Sequence, residues 1–252
     1  LPFARRMLLV ILLAYWPLLT LLTAYTWGDS LRLAVELAGR APNSPRAQYE
    51  LGRTYIIYSK YNPSSPFTQL AYAPLERAMT LPNTTILPEQ ALIFMNARMH
   101  IPVRDAWWDS LYKKLRQRGP GVQDESSLAA LLSCVQDHRC DIPQARMDEA
   151  FSMALDHPHP SARLLAIYAD YEWSVVGDED KALKAISAAV AASPRESAYM
   201  ISQVRMLAIS GHRDEARSVL ERLTPMNYGG SLTGTLAELR TVVEARSKDS
   251  DE

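Results

Sequence analysis

Five positions near the end of the chain recur at an offset of 34 residues: Gly177, Asp180, Ala182, Ile186 and Ala189 are answered by Gly211, Asp214, Ala216, Leu220 and Leu223. That period belongs to helix–turn–helix arrays, in which each helix pair buries its apolar face against the next. The residue types fit such packing. A glycine closes the first helix, and a small alanine lets the second cross closely. A large apolar residue four positions on, and a small or apolar one three after that, fill the space between repeats. Strand signals are absent, and helices are predicted at about 28–40, 45–59, 67–81, 88–99, 102–117, 124–137, 142–156, 161–176, 179–192, 196–210, 213–223 and 231–246. Between them stand the expected breakers, among them Pro42-Asn43-Ser44-Pro45, Pro82-Asn83-Thr84, Gly119-Pro120-Gly121, Pro158-His159-Pro160 and Gly229-Gly230. Residues 231–246, with Ser231 as N-cap and Leu232, Leu236, Leu239, Val242 and Val243 on one face, are expected to cap the last open edge. The polar tail 247–252 has no apolar anchor and is expected to be disordered.

The residues of this echo resemble the tetratricopeptide repeat, whose second helix carries alanine, a large apolar residue, alanine and a closing proline. Here that run is Ala182, Ile186, Ala189 and Pro194. Upstream, Leu51-Gly52 with Tyr55 looks like the signature of the first helix, and Ala71, Leu75, Ala78 and Pro82 like the second. Between those halves Asn62-Pro63-Ser64-Ser65-Pro66 supplies extra loop. Val35-Glu36-Leu37-Ala38 before Pro42, and Phe151 with Ala154 before Pro158, agree with the pattern in part. The resemblance implies a right-handed all-helical solenoid over 28–246, with 86–140 departing most from the motif.

Met7 to Trp27 is a run of 21 residues without a charged side chain. At 1.5 Å per residue it reaches about 31 Å, the thickness of a bilayer core. Tyr25 and Trp27 fall at its far end, where amphipathic rings favour the interface. Residues 1–27 are therefore read as a transmembrane helix with a basic flank. A cleaved signal peptide is the alternative, but its apolar region is shorter, and no small-x-small site follows. A buried soluble helix would need apolar partners all round, which an open repeat array does not offer. Arg5-Arg6 precede the span and Asp29 follows it, so the positive-inside rule puts the N-terminal flank in the cytoplasm and the large domain across the membrane. The expected location is a bacterial inner membrane with the repeat domain in the periplasm. The chain starts at Leu1 rather than at a methionine, which leaves open that it is the tail of a longer polytopic protein.

Cys134 and Cys140 are the only cysteines. One is expected near a helix end and the other in the following turn, close enough for a disulfide in an oxidising compartment; two independent buried thiols are the alternative. A zinc site would need four ligands, and only His138 stands nearby.

Lys and Arg total 27 against 28 for Asp and Glu, so no global field recruits nucleic acid. Asp156-His157-Pro158-His159-Pro160 offers two imidazoles held in a turn with one carboxylate, a poor metal site. Val103, Trp107, Leu111 and Leu115 form one core stripe, while Trp108 and Tyr112 on another face are expected to pack on a neighbouring repeat. Asn83-Thr84-Thr85 matches the N-glycosylation sequon. No nucleophile elbow or phosphate loop is present, so no catalytic residues and no cofactor are expected.

What remains is a binding module. In tetratricopeptide arrays the first helices line the concave surface, and carrying that over gives Arg46, Tyr49 and Arg53, then Tyr171 and Arg205. Guanidinium forks and phenols suit a peptide carboxylate or an acidic segment; solvated helix residues in local ion pairs are the alternative. Two functions stay open: a membrane-anchored scaffold for a protein or peptide partner, and the C-terminal recruiting part of a polytopic membrane enzyme. The join of membrane helix, Trp-Gly-Asp linker and repeats, with Pro42-Asn43-Ser44-Pro45-Arg46-Ala47, resembles protein O-mannosyltransferase-like membrane glycosyltransferases bearing C-terminal tetratricopeptide arrays. Their catalytic residues would precede Leu1.

Overall fold

The computed structural model describes residues 2–245. Residue 246 of the expected capping helix and the tail 247–252 lie outside the described residues. Among those described there are thirteen α-helices and no strand. The chain divides into two compact units, Leu1–Ser110 and Leu111–Glu252.

The first unit holds α1 (Pro2–Trp27), α2 (Ser30–Arg40), α3 (Pro45–Ser59), α4 (Pro66–Thr80) and α5 (Leu87–Arg98). α6 (Asp105–Gln117) runs across the divide. α1 is long and apolar enough to cross a membrane, and none of its apolar window is buried within the protein. Local signals set the starts of the next two helices. Asp29 accepts the Arg32 N–H at 2.7 Å to cap α2, and Ser44 accepts the Ala47 N–H at 3.3 Å ahead of Pro45, whose missing N–H costs nothing at a first helical position.

α3 packs chiefly on α4. Gly52 is what allows the close approach: a Cβ there would overlap Leu75 Cγ and lie 2.7 Å from its Cδ2. Ala71, Leu75 and Ala78, the residues of the second-helix pattern, are all fully buried. α2 rests on α3, α4 on α5, and α3 also touches α5. Tyr72 donates to Asn96 Oδ1 at 2.9 Å, and Trp107 Nε1 donates to Glu76 Oε1 at 3.2 Å, so buried polar ends of aromatics are satisfied. Of the expected stripe, Trp107, Leu111 and Leu115 are buried core, whereas Val103 lies before α6 and is half-buried; Trp108 and Tyr112 on the other face are buried too.

The second unit contains α7 (Val122–Gln136), α8 (Gln144–Leu155), α9 (Ala162–Tyr171), α10 (Glu179–Ala192), α11 (Ser197–Ile209), α12 (Arg213–Leu223) and α13 (Thr233–Ala245). α9 ends in a π-helical turn, Glu172–Val176, which no local sequence signal announced. The two echoed glycines do close helices. Gly177 at φ +78° and Gly211 at φ +85° adopt the left-handed conformation that a side chain would strain. The echoed Ala182, Ala189, Ala216 and Leu223 are fully buried, and Ile186 and Leu220 join them. α10 packs on α9 and α11, and α11 on α12 and α13.

The last helix departs from expectation at its start. Ser231 is not its N-cap; the helix begins at Thr233. Asn227 takes over the turn, accepting from the Leu232 N–H at 2.7 Å and donating to Thr233 Oγ1 at 3.0 Å. Its apolar face behaves as expected: Leu236, Leu239 and Val243 are buried, and Leu232 and Val242 pack against the same cluster.

A second polar device orders the entry to α7. Arg118 reaches Asp124 with both guanidinium arms, Nη1 to Oδ2 at 2.6 Å and Nη2 to Oδ1 at 3.1 Å, and the Gly121 N–H donates to Oδ2 at 2.9 Å. The Asp124 carboxylate is fully buried, while Arg118 keeps one side in solvent. Gly119-Pro120-Gly121 is thus a pinned turn rather than a loose linker.

Candidate binding surface

Arg46, Tyr49 and Arg53 lie on α3 at spacings of three and four, hence on one face of that helix. Arg46 and Arg53 are exposed and Tyr49 is half-buried. Arg53 faces Glu50 at 3.5 Å, an exposed pair between neighbouring turns. Such pairs contribute a few tenths of a kcal/mol, so an incoming carboxylate would displace this one at small cost. Burial raises the Tyr49 phenol above its ordinary range, against the opposing pull of Arg53. The phenol stays protonated at neutral pH and can donate.

The two residues expected from the second unit divide. Arg205, on α11, is exposed and donates to Glu238 Oε1 of α13 at 2.9 Å. Tyr171 is not a surface residue: its ring is fully buried against Phe151 at a centroid distance of 4.7 Å, and its hydroxyl donates to Asp148 Oδ1 at 2.6 Å. The cause is α8, whose Asp148 and Phe151 cover it. Leu164, Tyr168 and Tyr171 follow one another at helical spacing, and that stripe was the sequence signal for a core face. Burial, followed by the hydrogen bond to Asp148, pushes the Tyr171 phenol far above its usual range. Tyr168 is raised in the same direction by burial and by its bond to Glu172.

A surface cavity of about 400 Å³ lies among α10, α11 and α12, lined by Asp180, Leu183, Lys184, Ser187, Leu207 and His212. Sequence reasoning did not find it, because its walls come from three helices whose polar residues read separately as solvated. Gln203, nearly buried, donates to Ser187 Oγ at 2.9 Å beside it. Its charges are of both signs, so the cavity selects an acidic ligand less well than the α3 face does.

Other candidates resolve into structural roles. His157 Nε2 donates to the Leu115 carbonyl at 2.6 Å, which ties the turn after α8 to α6, and His159 is exposed. Among the described residues no cluster of three or more His, Cys, Asp or Glu could hold a metal. Asn83 is exposed in the turn after α4, at φ +58°.

Cys134 and Cys140 are joined as a disulfide, with Cα atoms 5.3 Å apart, between the last turn of α7 and the loop before α8. The Arg139 and Cys140 N–H groups both donate to the Cys134 carbonyl, at 2.9 and 3.2 Å, so the backbone holds this turn closed independently. Replacing both cysteines by serine is expected to cost about 2 kcal/mol by loop-closure entropy. Chemical denaturation measures it, and thiol labelling of the unreduced wild type should find no reactive cysteine. Two labelled thiols would refute the bridge. Comparison with protein-family models and with curated proteins finds no match for this chain.

Proposed function

We propose that this chain is a membrane-anchored tetratricopeptide-like scaffold, a right-handed helical solenoid that holds an acidic or C-terminal peptide stretch of a protein partner outside the cytoplasm. The exposed α3 face with Arg46, Tyr49 and Arg53 carries the reading. Two forks and a phenol at successive turns match a string of carboxylates better than any other chemistry on this surface. Three further observations support it. The apolar, unburied α1 suits a bilayer rather than a protein core. Arg5-Arg6 on its near side suit a cytoplasmic flank. A disulfide suits an oxidising compartment.

A charge-assisted contact in a partly desolvated groove contributes about 1.5–3 kcal/mol. Arg46→Ala combined with Arg53→Ala is therefore expected to lower partner recovery at least about tenfold in a crosslinking pull-down from membranes. Recovery should also become less sensitive to salt. Equal yield at unchanged salt sensitivity would exclude this face. A reporter fused to the C-terminal end checks the side, and activity of a cytoplasm-only reporter would reverse the topology.

A further inference from the structure

α1 and α2 meet at Gly28-Asp29, and the turn between them is held by more than its cap. The Arg32 guanidinium lies 3.6 Å over the Tyr25 ring and donates to the Tyr25 carbonyl. These contacts tie the start of α2 to the last turn of α1. Between the two helices a groove of about 220 Å³ remains. Leu19, Leu22 and Trp27 line it from α1, and Leu33, Leu37 and Arg40 from α2. It follows α1 for two turns, about 12 Å at 1.5 Å per residue.

The groove makes few polar demands on an occupant. Thr23 and Thr26 face it from α1, but their hydroxyls donate to the Leu19 and Leu22 carbonyls at 2.9 and 3.2 Å. Charge enters only from α2, where Arg40 Nε donates to Glu36 Oε1 at 2.6 Å. Leu37 keeps 45% of its surface uncovered, although α2 is otherwise fastened to α3 through Ala34 and Ala38.

We propose that this groove takes one glycerophospholipid of the bilayer, an inference that rests on the membrane-anchored reading above. Its α1 wall is the last part of the span itself, so the lipid surface that covers α1 continues into the groove. An acyl chain lies on Leu19, Leu22, Leu33 and Leu37, where an empty apolar cleft would forfeit its dispersion contacts. The phosphate meets the Arg40 guanidinium, whose planar fork suits it. α2 then rests in the headgroup layer, and Tyr25 and Trp27 stand at the depth that amphipathic rings favour.

Spin labelling of the full chain in phosphatidylcholine and phosphatidylglycerol vesicles tests this. No described cysteine is free, so an added thiol is labelled alone. Labels are placed through Leu13→Cys on α1, Leu37→Cys in the groove and Arg222→Cys on the exposed side of α12. Collision with oxygen rather than with a water-soluble nickel chelate should be favoured severalfold at 13 and 37 relative to 222. A lipid-like label at 13 with a water-like label at 37 would overturn the lipid site and leave the anchor standing. Low access to both reagents at 37 means that protein fills the groove, and overturns the site equally. A water-like label at 13 removes the anchor and the proposal with it. Adding Arg40→Glu to the Leu37→Cys chain should at least halve the oxygen preference; an unchanged ratio would remove the phosphate contact.

Discussion

Gly52→Ala is expected to destabilise the protein by about 2 kcal/mol, although alanine is the better helix former. On propensity alone the substitution in α3 would gain about 1 kcal/mol. Packing decides the sign, because the new Cβ would overlap Leu75 Cγ and lie 2.7 and 3.2 Å from its two methyls. Leu75 is fully buried between Ala71 and Ala78 of the same helix, so it has little room to move aside. Overpacking of this kind costs about 1–3 kcal/mol, and forced helix separation adds to it. Leu75→Ala alone should cost about 2–5 kcal/mol through the cavity it leaves. The double variant should be more stable than the sum of the two by at least about 1 kcal/mol, since the new methyl then occupies vacated space. Denaturant titration in detergent, followed by circular dichroism, gives all three values. Strict additivity would mean that α3 and α4 do not cross at this pair.

Arg118→Met is expected to cost about 3 kcal/mol, far more than a surface arginine contributes. It removes from the fully buried Asp124 carboxylate the guanidinium that meets both its oxygens. Breaking one side of a buried pair costs about 3–5 kcal/mol; the lower end applies because Arg118 is itself half in solvent. Removing both charges together should be much milder. In Arg118→Met with Asp124→Asn the amide oxygen can still accept the Gly121 N–H, now bonded at 2.9 Å, and neither charge of this pair outlives the other. The double variant should therefore recover at least about 1 kcal/mol relative to Arg118→Met. If it is instead less stable than that single variant, the carboxylate contributes through its other contacts, among them the Gly121 N–H, and the charge left without its guanidinium is not what costs stability.

Much of the fold was legible because its signals are local. Ser44, Asp29 and Ser161 cap helices through oxygens that reach an N–H three residues on, a geometry set within one turn. Gly177 and Gly211 end helices because only the backbone conformation at that point matters. The 34-residue echo pointed to packing positions because equivalent small and large residues recur wherever equivalent helices cross, and its three alanines, two leucines and Ile186 are buried accordingly. The apolar length of α1 needs no neighbour to be read.

What remained illegible depends on partners distant in the chain. Tyr171 and Arg53 both read as groove residues; one is covered by Phe151 and Asp148 of α8, whereas the other stays exposed beside Glu50. Asn227, not Ser231, organises the start of α13, because the turn Thr224–Met226 brings its amide within reach of Leu232 and Thr233. By itself the sequence determined roughly where most helices start and stop, the start of α13 and the π-helical end of α9 excepted, which residues are small enough for close crossings, and which segment is apolar enough for a membrane. Only the tertiary structure decided which tyrosine is covered, which carboxylate loses its water, and that α1 and α2 leave a groove between them, since burial and charge pairing belong to helices brought together rather than to any one of them.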